Sequence, residues 1–334
     1  MSDRKKDHIE LALNARTGPE EMDRRFFYEP MLAKHPVKEL APFVFLRKTL
    51  RAPLWVSSMT GGTKMAGQIN RNLARVCMEF GLGMGLGSCR PILFSDDHFE
   101  DFDMRGIIGD DLPLYANLGI AQIEELLLNG DIAPVNNLVQ RLRADGLIIH
   151  VNPLQEWLQP EGNLFSQPPI DTIRSFIEMA SYPVIVKEVG QGMGPESLRA
   201  LLELPLEAIE LAAFGGTNFA KLELMRSDEA KQQYLSPVSR IGHDASEMIE
   251  MINTIYDGHS SLQCKQIIIS GGISSFLDGY YLSGKCKLPS IYGQASGFLK
   301  YATKSYEELQ KFVEYQIEGI SIAASYFVIK DKVQ

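Results

Sequence analysis

A short apolar run passes directly into a polar one at residues 146–156, Gly-Leu-Ile-Ile-His-Val-Asn-Pro-Leu-Gln-Glu. The first four residues have the length and composition of a buried strand. His150, Asn152, Gln155 and Glu156 follow at its carboxyl end, where polar side chains are costly unless solvent, a ligand or a metal satisfies them. Ligands of parallel sheets and barrels bind at the carboxyl ends of strands. The stretch therefore predicts a parallel sheet with a site at its edge.

Apolar runs and amphipathic segments alternate along the rest of the chain. Strands are predicted at 53–58, 82–86, 113–117, 147–150, 184–187, 209–212, 266–270 and 290–292. Helices are predicted at 66–80, 135–144, 170–180, 196–203, 245–256, 276–283 and 306–329. About eight such units favour an α/β fold of the closed (β/α)8 TIM-barrel type over an open sheet.

No linker interrupts the pattern, so a single domain is expected over residues 1–334. Residues 1–50 form an N-terminal arm and lead-in, and residues 51–334 form the barrel. A polar stretch at 217–244 predicts a long loop after the sixth strand. Such a loop is usually a functional lid or a mobile segment, and a tolerated insertion is about as common.

Composition limits the classes of function. The 334 residues carry 33 Lys and Arg against 42 Asp and Glu, a net charge of −9. This balance argues against a nucleic-acid coat or a binder of anionic membranes. The N-terminus is charged and lacks a secretory pattern, and no stretch reaches the roughly 18 apolar residues of a membrane span. The four cysteines lack metal-ligand spacing. They are scattered along the chain, and scattered thiols are typical of proteins in a reducing compartment. We expect a soluble cytoplasmic protein.

Two glycine-containing loops follow the last two predicted strands, at Ser270-Gly271-Gly272-Ile273 and at Tyr292-Gly293-Gln294-Ala295-Ser296-Gly297. Glycine lets the main chain approach a ligand closely, and N–H groups at a helix start suit a phosphate. Either loop alone is as often an ordinary turn. Both loops together, after strands 7 and 8, predict the phosphate site common in these barrels.

Charged residues leave alternatives open. Lys187 ends a strand, and it either meets an anion or electron-rich ring or pairs with Glu188 or another carboxylate. The segment Arg4-Lys5-Lys6 with His8 has the charge pattern of a solvated tail. Its functional alternative is an arm that folds over the site and binds a diphosphate. Glu156 either caps the helix that follows or binds Mg²⁺, which typically takes only one or two protein carboxylates.

Taken together, these motifs resemble those of the type II, flavin-dependent isopentenyl diphosphate isomerases. The matching segments run in the expected order and span nearly the whole chain. They are Arg4-Lys5-x-x-His8, Ser58-Met-Thr-Gly-Gly62, Gly87-Ser88-x-Arg90, Asn117-Leu-Gly119, His150-x-Asn152-x-x-Gln155-Glu156, Val186-Lys-Glu188, Gly215-Gly-Thr217 and Ser270-Gly-Gly272.

The resemblance implies roles for individual residues in a TIM barrel that holds FMN. Contacts to the isoalloxazine and ribityl parts are implied for Ser58, Met59, Thr60, Ser88, Asn117, Lys187 and Thr217. The FMN phosphate would lie on the main chain of Gly271, Gly272, Ala295 and Ser296. Substrate would be held by Arg4, Lys5, His8, Ser88, Arg90, His150, Asn152 and Gln155. Gln155 and Lys187 are the implied catalytic residues, and Glu156 is the implied Mg²⁺ ligand.

The implied activity interconverts isopentenyl and dimethylallyl diphosphate by 1,3-proton transfer, in isoprenoid biosynthesis. The sequence offers no obvious Cys–Glu acid/base pair at the site, and Gln155 is a poor acid. The hypothesis is that reduced FMN is the acid/base, with Lys187 stabilising negative charge near N1 and no net redox change. NAD(P)H would serve only to reduce FMN. The family also implies a homo-oligomer, a tetramer or octamer.

Two positions depart from the family pattern. Ser274 stands where an arginine is common, so one phosphate contact is expected to be lost unless Lys300 or main-chain N–H groups compensate. Cys89 stands where glutamine is usual, and a thiol cannot replace the hydrogen bonds of an amide.

Two other classes of function compete. An FMN oxidoreductase of the 2-hydroxy-acid oxidase type shares the barrel and its phosphate loops, but it needs a base histidine near the flavin. The chain has no histidine after His259 and lacks a well-placed arginine in its late loops. A non-catalytic flavin or phosphate binder explains the glycine loops, but it leaves Gln155, Glu156 and the N-terminal arm without a purpose.

Overall fold

The computed structural model describes residues 2–36, 39–258 and 261–330, in which eight parallel strands close into a barrel whose spatial order follows chain order. Three short strands come first, β1 (Phe26–Tyr28), β2 (Phe43–Phe45) and β3 (Lys48–Leu50). The barrel strands are β4 (Leu54–Val56), β5 (Gly83–Gly85), β6 (Leu114–Gly119), β7 (Gly146–His150), β8 (Val184–Lys187), β9 (Ala208–Glu210), β10 (Ile267–Ser270) and β11 (Ser290–Gln294). A last strand, β12 (Phe327–Ile329), pairs with β1. The predicted (β/α)8 barrel is confirmed.

Along the chain, helices alternate with the barrel strands. They are α1 (Ser2–Leu11), α2 (Lys64–Phe80), α3 (Arg105–Ile108), α4 (Ile120–Leu128), α5 (Ala133–Arg141), α6 (Pro153–Leu158), α7 (Pro169–Met179), α8 (Pro195–Leu202), α9 (Phe219–Arg226), α10 (Glu229–Leu235), α11 (Ala245–Gly258), α12 (Phe276–Lys285), α13 (Ser296–Ala302) and α14 (Tyr306–Tyr326). No helix of the described residues is long and apolar enough to cross a membrane.

The first complete unit shows why the local sequence gives these elements. Helix α2 begins where the Thr63 side chain accepts a hydrogen bond from the Ala66 N–H, and it ends at Gly81, which has a left-handed φ of 68°. Strand β5 is glycine-rich because a Cβ at Gly83 would lie 2.5 Å from the ring of Trp55, which is wholly buried inside the barrel. Such close packing makes the barrel interior a core and leaves its carboxyl end for ligands.

The structure contains elements that were not predicted, among them β1 to β3, α1, α3, α6 and α13, and it differs from the predicted elements at three further places. The last helix ends at Tyr326 rather than Ile329, because 327–329 pairs antiparallel with β1. Helix α4, between the third and fourth barrel strands, was not predicted. The predicted loop at 217–244 contains α9, α10 and a 3-10 segment, Ser236–Arg240. Its two helices begin at side-chain caps from Asn218 and Asp228, so the polar composition there reflects two short capped helices rather than a structureless loop.

Candidate active site

A cavity opens at the carboxyl ends of β4 and β8 to β11. It is lined by Ser57, Ser58, Lys187, Val189, Gly190, Glu210, Ala212, Ala213, Gly216, Thr217, Phe219, Ser270, Gly271, Gly272, Ile273, Gly293, Gln294, Ala295 and Ser296. Seven residues of the predicted cofactor site meet here: Ser58, Lys187, Thr217, Gly271, Gly272, Ala295 and Ser296.

Glycines let the loops after β9 and β10 touch through their main chains. Gly271 and Gly272 have φ values of 88° and 71°, and a Cβ at Gly271 would lie 2.1 Å from the carbonyl oxygen of Ala213. Gly215 has a φ of 111°, and a Cβ there would lie 3.1 Å from the Cα of Gly272. Any side chain at these positions would strain the backbone and fill this end of the cavity. The glycines therefore leave this end of the cavity, the glycine cradle, open and lined by main-chain atoms.

Several buried polar atoms in the cavity wall have no hydrogen-bond partner among the described residues. They are Ser57 Oγ, Ser58 Oγ, Gln294 Oε1 and both carboxylate oxygens of Glu210. Unpartnered buried polar atoms are rare because each costs free energy, so a polar occupant of the cavity is expected. Glu210 was missed by the sequence analysis, although a charged residue at the end of the apolar strand 208–210 is a usable signal.

Lys187 is buried at the end of β8, and its Nζ donates to the carbonyl oxygen of Glu188 at 2.8 Å. The Glu188 carboxylate instead accepts hydrogen bonds from the N–H groups of Gly190, Gln191 and Gly192 at 2.6 to 3.0 Å. Burial raises the pKa of Glu188, although these three hydrogen bonds and the Lys187 charge act to lower it. The alternative in which Lys187 pairs with the Glu188 carboxylate is therefore wrong, and the ammonium keeps donors for the cavity.

His150 and Asn117 form a hydrogen bond between the ends of β7 and β6, with Nδ1 and Oδ1 2.8 Å apart. The Asn117 amide nitrogen already donates to the carbonyl oxygen of Leu86, so its Oδ1 accepts and His150 Nδ1 carries the proton. Burial and the nearby Lys187 charge lower the pKa of His150 to about 3. The imidazole is therefore neutral, and its Nε2 carries a lone pair and acts as an acceptor. Nε2 could donate to a diphosphate oxygen only after the ring had taken up a second proton.

A second group of polar side chains lies on α6 and α9. The Asn152 amide nitrogen donates to Gln155 Oε1 at 3.1 Å and to Glu156 Oε1 at 3.0 Å. Gln155 Nε2 in turn lies 3.4 Å from Glu223 Oε1. Glu223 is buried and was not predicted, because it lies on a helix within the segment interpreted as a loop. Asn152 Oδ1 is buried without a hydrogen-bond partner in the described chain.

Glu156 is buried on α6 and holds several donors. Its Oε2 accepts from the Gln159 side chain at 3.0 Å and from the Asn163 N–H at 2.6 Å. Residues 2–36, 39–258 and 261–330 contain no group of three or more His, Cys, Asp or Glu side chains that could hold a metal ion. A magnesium site here would therefore rest on one or two carboxylates with ligand and water oxygens.

Other predicted residues lie outside the cavity lining. Arg4, Lys5 and His8 lie on exposed helix α1, and Arg90 is exposed. Met59, Thr60 and Ser88 are partly buried at the ends of β4 and β5. The structure does not bring these residues to the cavity wall, so their roles stay predictions.

The two positions that depart from the family pattern serve the fold. The Cys89 thiol is wholly buried and donates to the Gly87 carbonyl oxygen, and burial raises its pKa to about 12. Ser274 donates to Asp278 at 2.6 Å, and the Lys300 ammonium lies over the ring of Tyr301. His259, named for the competing oxidase reading, lies outside the described residues.

A larger groove lies away from the strand ends, between the N-terminal segment and α14. Its lining includes Tyr28, His35, Arg51, Phe80 and Tyr326. None of the residues predicted for the site lines it, so the strand-end cavity is the candidate active site.

The closed barrel of eight parallel strands, with the Gly271-Gly272 loop after β10 and the buried Lys187 at the end of β8, defines the class of the protein as a (β/α)8 barrel with a polar cavity at the carboxyl ends of its strands. Solved structures support the fold. A mandelate oxidase mutant with an FMN adduct aligns over 90% of this chain and 83% of its own, with a TM-score of 0.56 and 12% identity. A flavocytochrome b2 mutant aligns over 90% and 71%, with a TM-score of 0.61 and 13% identity. No family model matches the chain.

Curated relatives identify the family. The isopentenyl-diphosphate delta-isomerase of Rickettsia peacockii (strain Rustic) is 34% identical over 326 residues, which are 93% of this chain and 90% of the relative. That of Rickettsia africae (strain ESF-5) is 33% identical over 330 residues, 96% of this chain and 92% of the relative. That of Rickettsia canadensis (strain McKiel) is 38% identical over 238 residues, 70% and 66%. The chain belongs to the isopentenyl-diphosphate delta-isomerase family.

Proposed function

We propose that this protein interconverts isopentenyl and dimethylallyl diphosphate by 1,3-proton transfer, with reduced FMN in the strand-end cavity and Mg²⁺ at the diphosphate. The observation that carries the proposal is the cavity wall, in which unpartnered polar atoms and a buried lysine surround a glycine cradle. Family membership supplies the substrate pair. FMN and Mg²⁺ are what the resemblance to the type II isomerases implies, and the polar groups of the cavity and of α6 fit them.

The residues of the cavity fit FMN. The main chain at Gly271 and Gly272, together with Ala295 and Ser296, would hold the phosphate. Lys187 has unused N–H donors for the electron-rich pyrimidine edge, and Ser58 Oγ, which lines the same cavity, is a hydroxyl without a hydrogen-bond partner among the described residues. When bound and reduced, FMN supplies a group that gives and takes a proton at the substrate carbons.

The Asn152–Gln155–Glu156 group fits a diphosphate with Mg²⁺. The Asn152 amide nitrogen faces two acceptor oxygens, so its buried, unpartnered Oδ1 is left as an acceptor. A negatively charged phosphate oxygen repels an acceptor, whereas Mg²⁺ or a water bound to it suits one. We infer that Asn152 and Glu156 hold the magnesium side of the diphosphate. The exposed Arg4, Lys5 and His8 of the arm would add charge from outside.

Gln155 orients the reacting part of the site. Its amide bridges Asn152 and the buried Glu223 carboxylate, so it is held from both ends. Glu223 is the titratable group next to Gln155, and Arg226 holds its other oxygen at 2.7 Å. The two helices thereby fix a polar wall against which an isoprenoid tail, anchored by its diphosphate, would be positioned.

The test is an anaerobic assay with FMN, Mg²⁺ and isopentenyl diphosphate, with and without dithionite. We expect dimethylallyl diphosphate only with reduced FMN. Gln155→Asn should lower kcat about 100-fold or more, as for loss of a positioned group, with FMN affinity unchanged. Gln140→Asn, at an exposed position on α5, is the matched control. Bound, reducible FMN without any product would contradict the isomerase proposal.

An FMN-dependent 2-hydroxy-acid oxidase is the second candidate. The mandelate oxidase and flavocytochrome b2 structures share its fold with this chain, and at 12 to 13% identity they support nothing beyond the fold. It predicts that a hydroxy acid reduces the bound flavin in the absence of dithionite. A neutral His150, whose proton is held by Asn117, leaves Nε2 as a base, and this observation alone speaks for the oxidase. Flavin bleaching by hydroxy acids, with no isomerase product, would establish it.

A further inference from the structure

The Glu210 carboxylate is the least explained group in the cavity wall. Glu210 is wholly buried, and neither of its oxygens has a hydrogen-bond partner among the described residues. An unpaired buried carboxylate is strongly unfavourable, and folded proteins usually pair it or bind a ligand with it. The fold does not use Glu210, so its partner is expected among the molecules that enter the cavity.

Glu210 and Lys187 lie side by side. They are in register on the neighbouring parallel strands β9 and β8, and both line the cavity. They are the only charged residues among those lining it in the described chain. The Lys187 ammonium donates to a main-chain carbonyl oxygen instead of to Glu210. One positive and one negative charge thus face the same space without neutralising each other directly.

Position along the barrel indicates which part of an occupant Glu210 meets. Its strand lies between β8, which carries Lys187, and β10, which leads into the Gly271-Gly272 cradle. If a cofactor has its phosphate in the cradle and its ring system at Lys187, the chain that links phosphate and ring would lie next to Glu210. In FMN that chain is a polyol, whose hydroxyl groups are donors, and a carboxylate is an acceptor.

Resting on the proposed FMN function, we propose that Glu210 binds the polyol and pyrimidine side of FMN and offsets the Lys187 charge there. A lysine alone would favour the reduced, anionic form of the flavin by Coulomb attraction. The opposing carboxylate reduces that preference, so the reduced cofactor keeps its proton available. This suits a reaction that moves protons without net redox change.

The experiment measures the dissociation constants of oxidised and dithionite-reduced FMN for wild type and Glu210→Gln, by titration of the apoprotein. Glutamine keeps the shape and removes the charge. We expect the ratio of oxidised to reduced dissociation constants to rise about tenfold, which is about 30 mV in the two-electron midpoint potential. At a given pH, the absorbance spectrum of reduced flavin bound to Glu210→Gln should be closer to that of the anionic form than it is in wild type. Glu210→Asp, which keeps the charge, should leave the ratio within about threefold of wild type.

The matched control is Glu207→Gln, three residues earlier on the chain, where the carboxylate pairs with Arg47 at 2.6 Å and does not line the cavity. It should leave the ratio of dissociation constants unchanged. An unchanged ratio in Glu210→Gln would overturn the inference and leave the isomerase proposal standing. A Glu210→Gln protein that fails to fold would also overturn it, because the carboxylate would then serve the fold. Wild-type protein that binds no FMN would overturn both.

Discussion

His150 shows how a single hydrogen bond fixes the state of a site residue. The bond to Asn117 assigns its proton to Nδ1, and burial with the nearby Lys187 charge lowers its pKa to about 3. The unfolded chain binds a proton at this histidine below pH about 6.5, whereas the folded chain does not until about pH 3. Stability contributed by the neutral form is therefore lost as the pH falls through this window.

We predict that wild type loses about 2 kcal/mol of unfolding free energy through His150 between pH 7 and pH 5. His150→Gln, whose amide can still donate to Asn117, should lose less by about that amount. Urea denaturation at the two pH values measures the difference. His98→Gln, at an exposed histidine beside Asp101, is the control for the removal of a histidine. Equal pH dependence in His150→Gln and wild type would contradict the prediction.

Individual site residues were predictable where strand ends coincide with unusual side chains. Lys187, Ser58 and the Gly271-Gly272 pair follow apolar runs, and they meet in one cavity as expected. Glu223 was not predictable, because its place beside Gln155 depends on how two helices distant in sequence pack. The hydrogen-bond partner of Lys187 was not predictable either. Both the carbonyl oxygen and the carboxylate of Glu188 can accept from an ammonium group, and only the turn after Glu188, whose N–H groups occupy the carboxylate, decides between them.

At the scale of elements, α9 covers α6 through a small apolar cluster separate from the barrel core. Leu158, Ala220 and Leu224 form it, with Leu154 and Leu235 against them. The side chain of Lys231 on α10 also donates to the Leu158 carbonyl oxygen. This cluster holds Glu223 against Gln155, so the packing of the two helices and the geometry of the site are coupled.

Leu224→Ala should therefore loosen α9 without loosening the barrel. Removing a buried leucine typically costs about 2 to 5 kcal/mol, and here the loss falls on the local cluster. We expect limited proteolysis within 219–240 to speed up at least about tenfold and isomerase kcat to fall, while FMN affinity stays. Leu222→Ala, on the same helix but 37% exposed, is the matched control. Faster global unfolding with unchanged cleavage inside the segment would speak against this coupling.

Element boundaries follow from the sequence where periodicity and caps agree. Helix α2 has a threonine cap, an apolar face and a terminal glycine, and the predicted range 66–80 lies within Lys64–Phe80. The end of α14 was misjudged because residues 327–329 are as apolar as the helix before them. Their strand forms only through a partner some 300 residues earlier in the chain, and local pattern carries no information about that pairing.

At the scale of the whole molecule, the two ends of the described chain meet beside the phosphate cradle. Strands β1 and β12 pair, and Arg25, just before β1, donates to Asp278 at 2.8 Å. The other oxygen of Asp278 accepts from the main chain and hydroxyl groups of Ser274 and Ser275, which follow the cradle after Ile273. The N-terminal lead-in thereby supports the loop that is proposed to hold the FMN phosphate.

Asp278→Asn should weaken this support from the far end of the chain. It removes the charge that holds Arg25 and weakens the cap of α12, and charge-assisted hydrogen bonds of this kind contribute about 1.5 to 3 kcal/mol. We expect FMN affinity, measured by titration of the apoprotein, to fall about tenfold. Asp23→Asn removes the other carboxylate that holds Arg25 but does not touch the cradle, so it should lower affinity far less. Equal losses in the two variants would mean that Arg25 acts on the fold as a whole. A loss confined to Asp278→Asn would mean that the cap itself orders the loop, because both carboxylates hold Arg25 but only Asp278 also contacts Ser274 and Ser275.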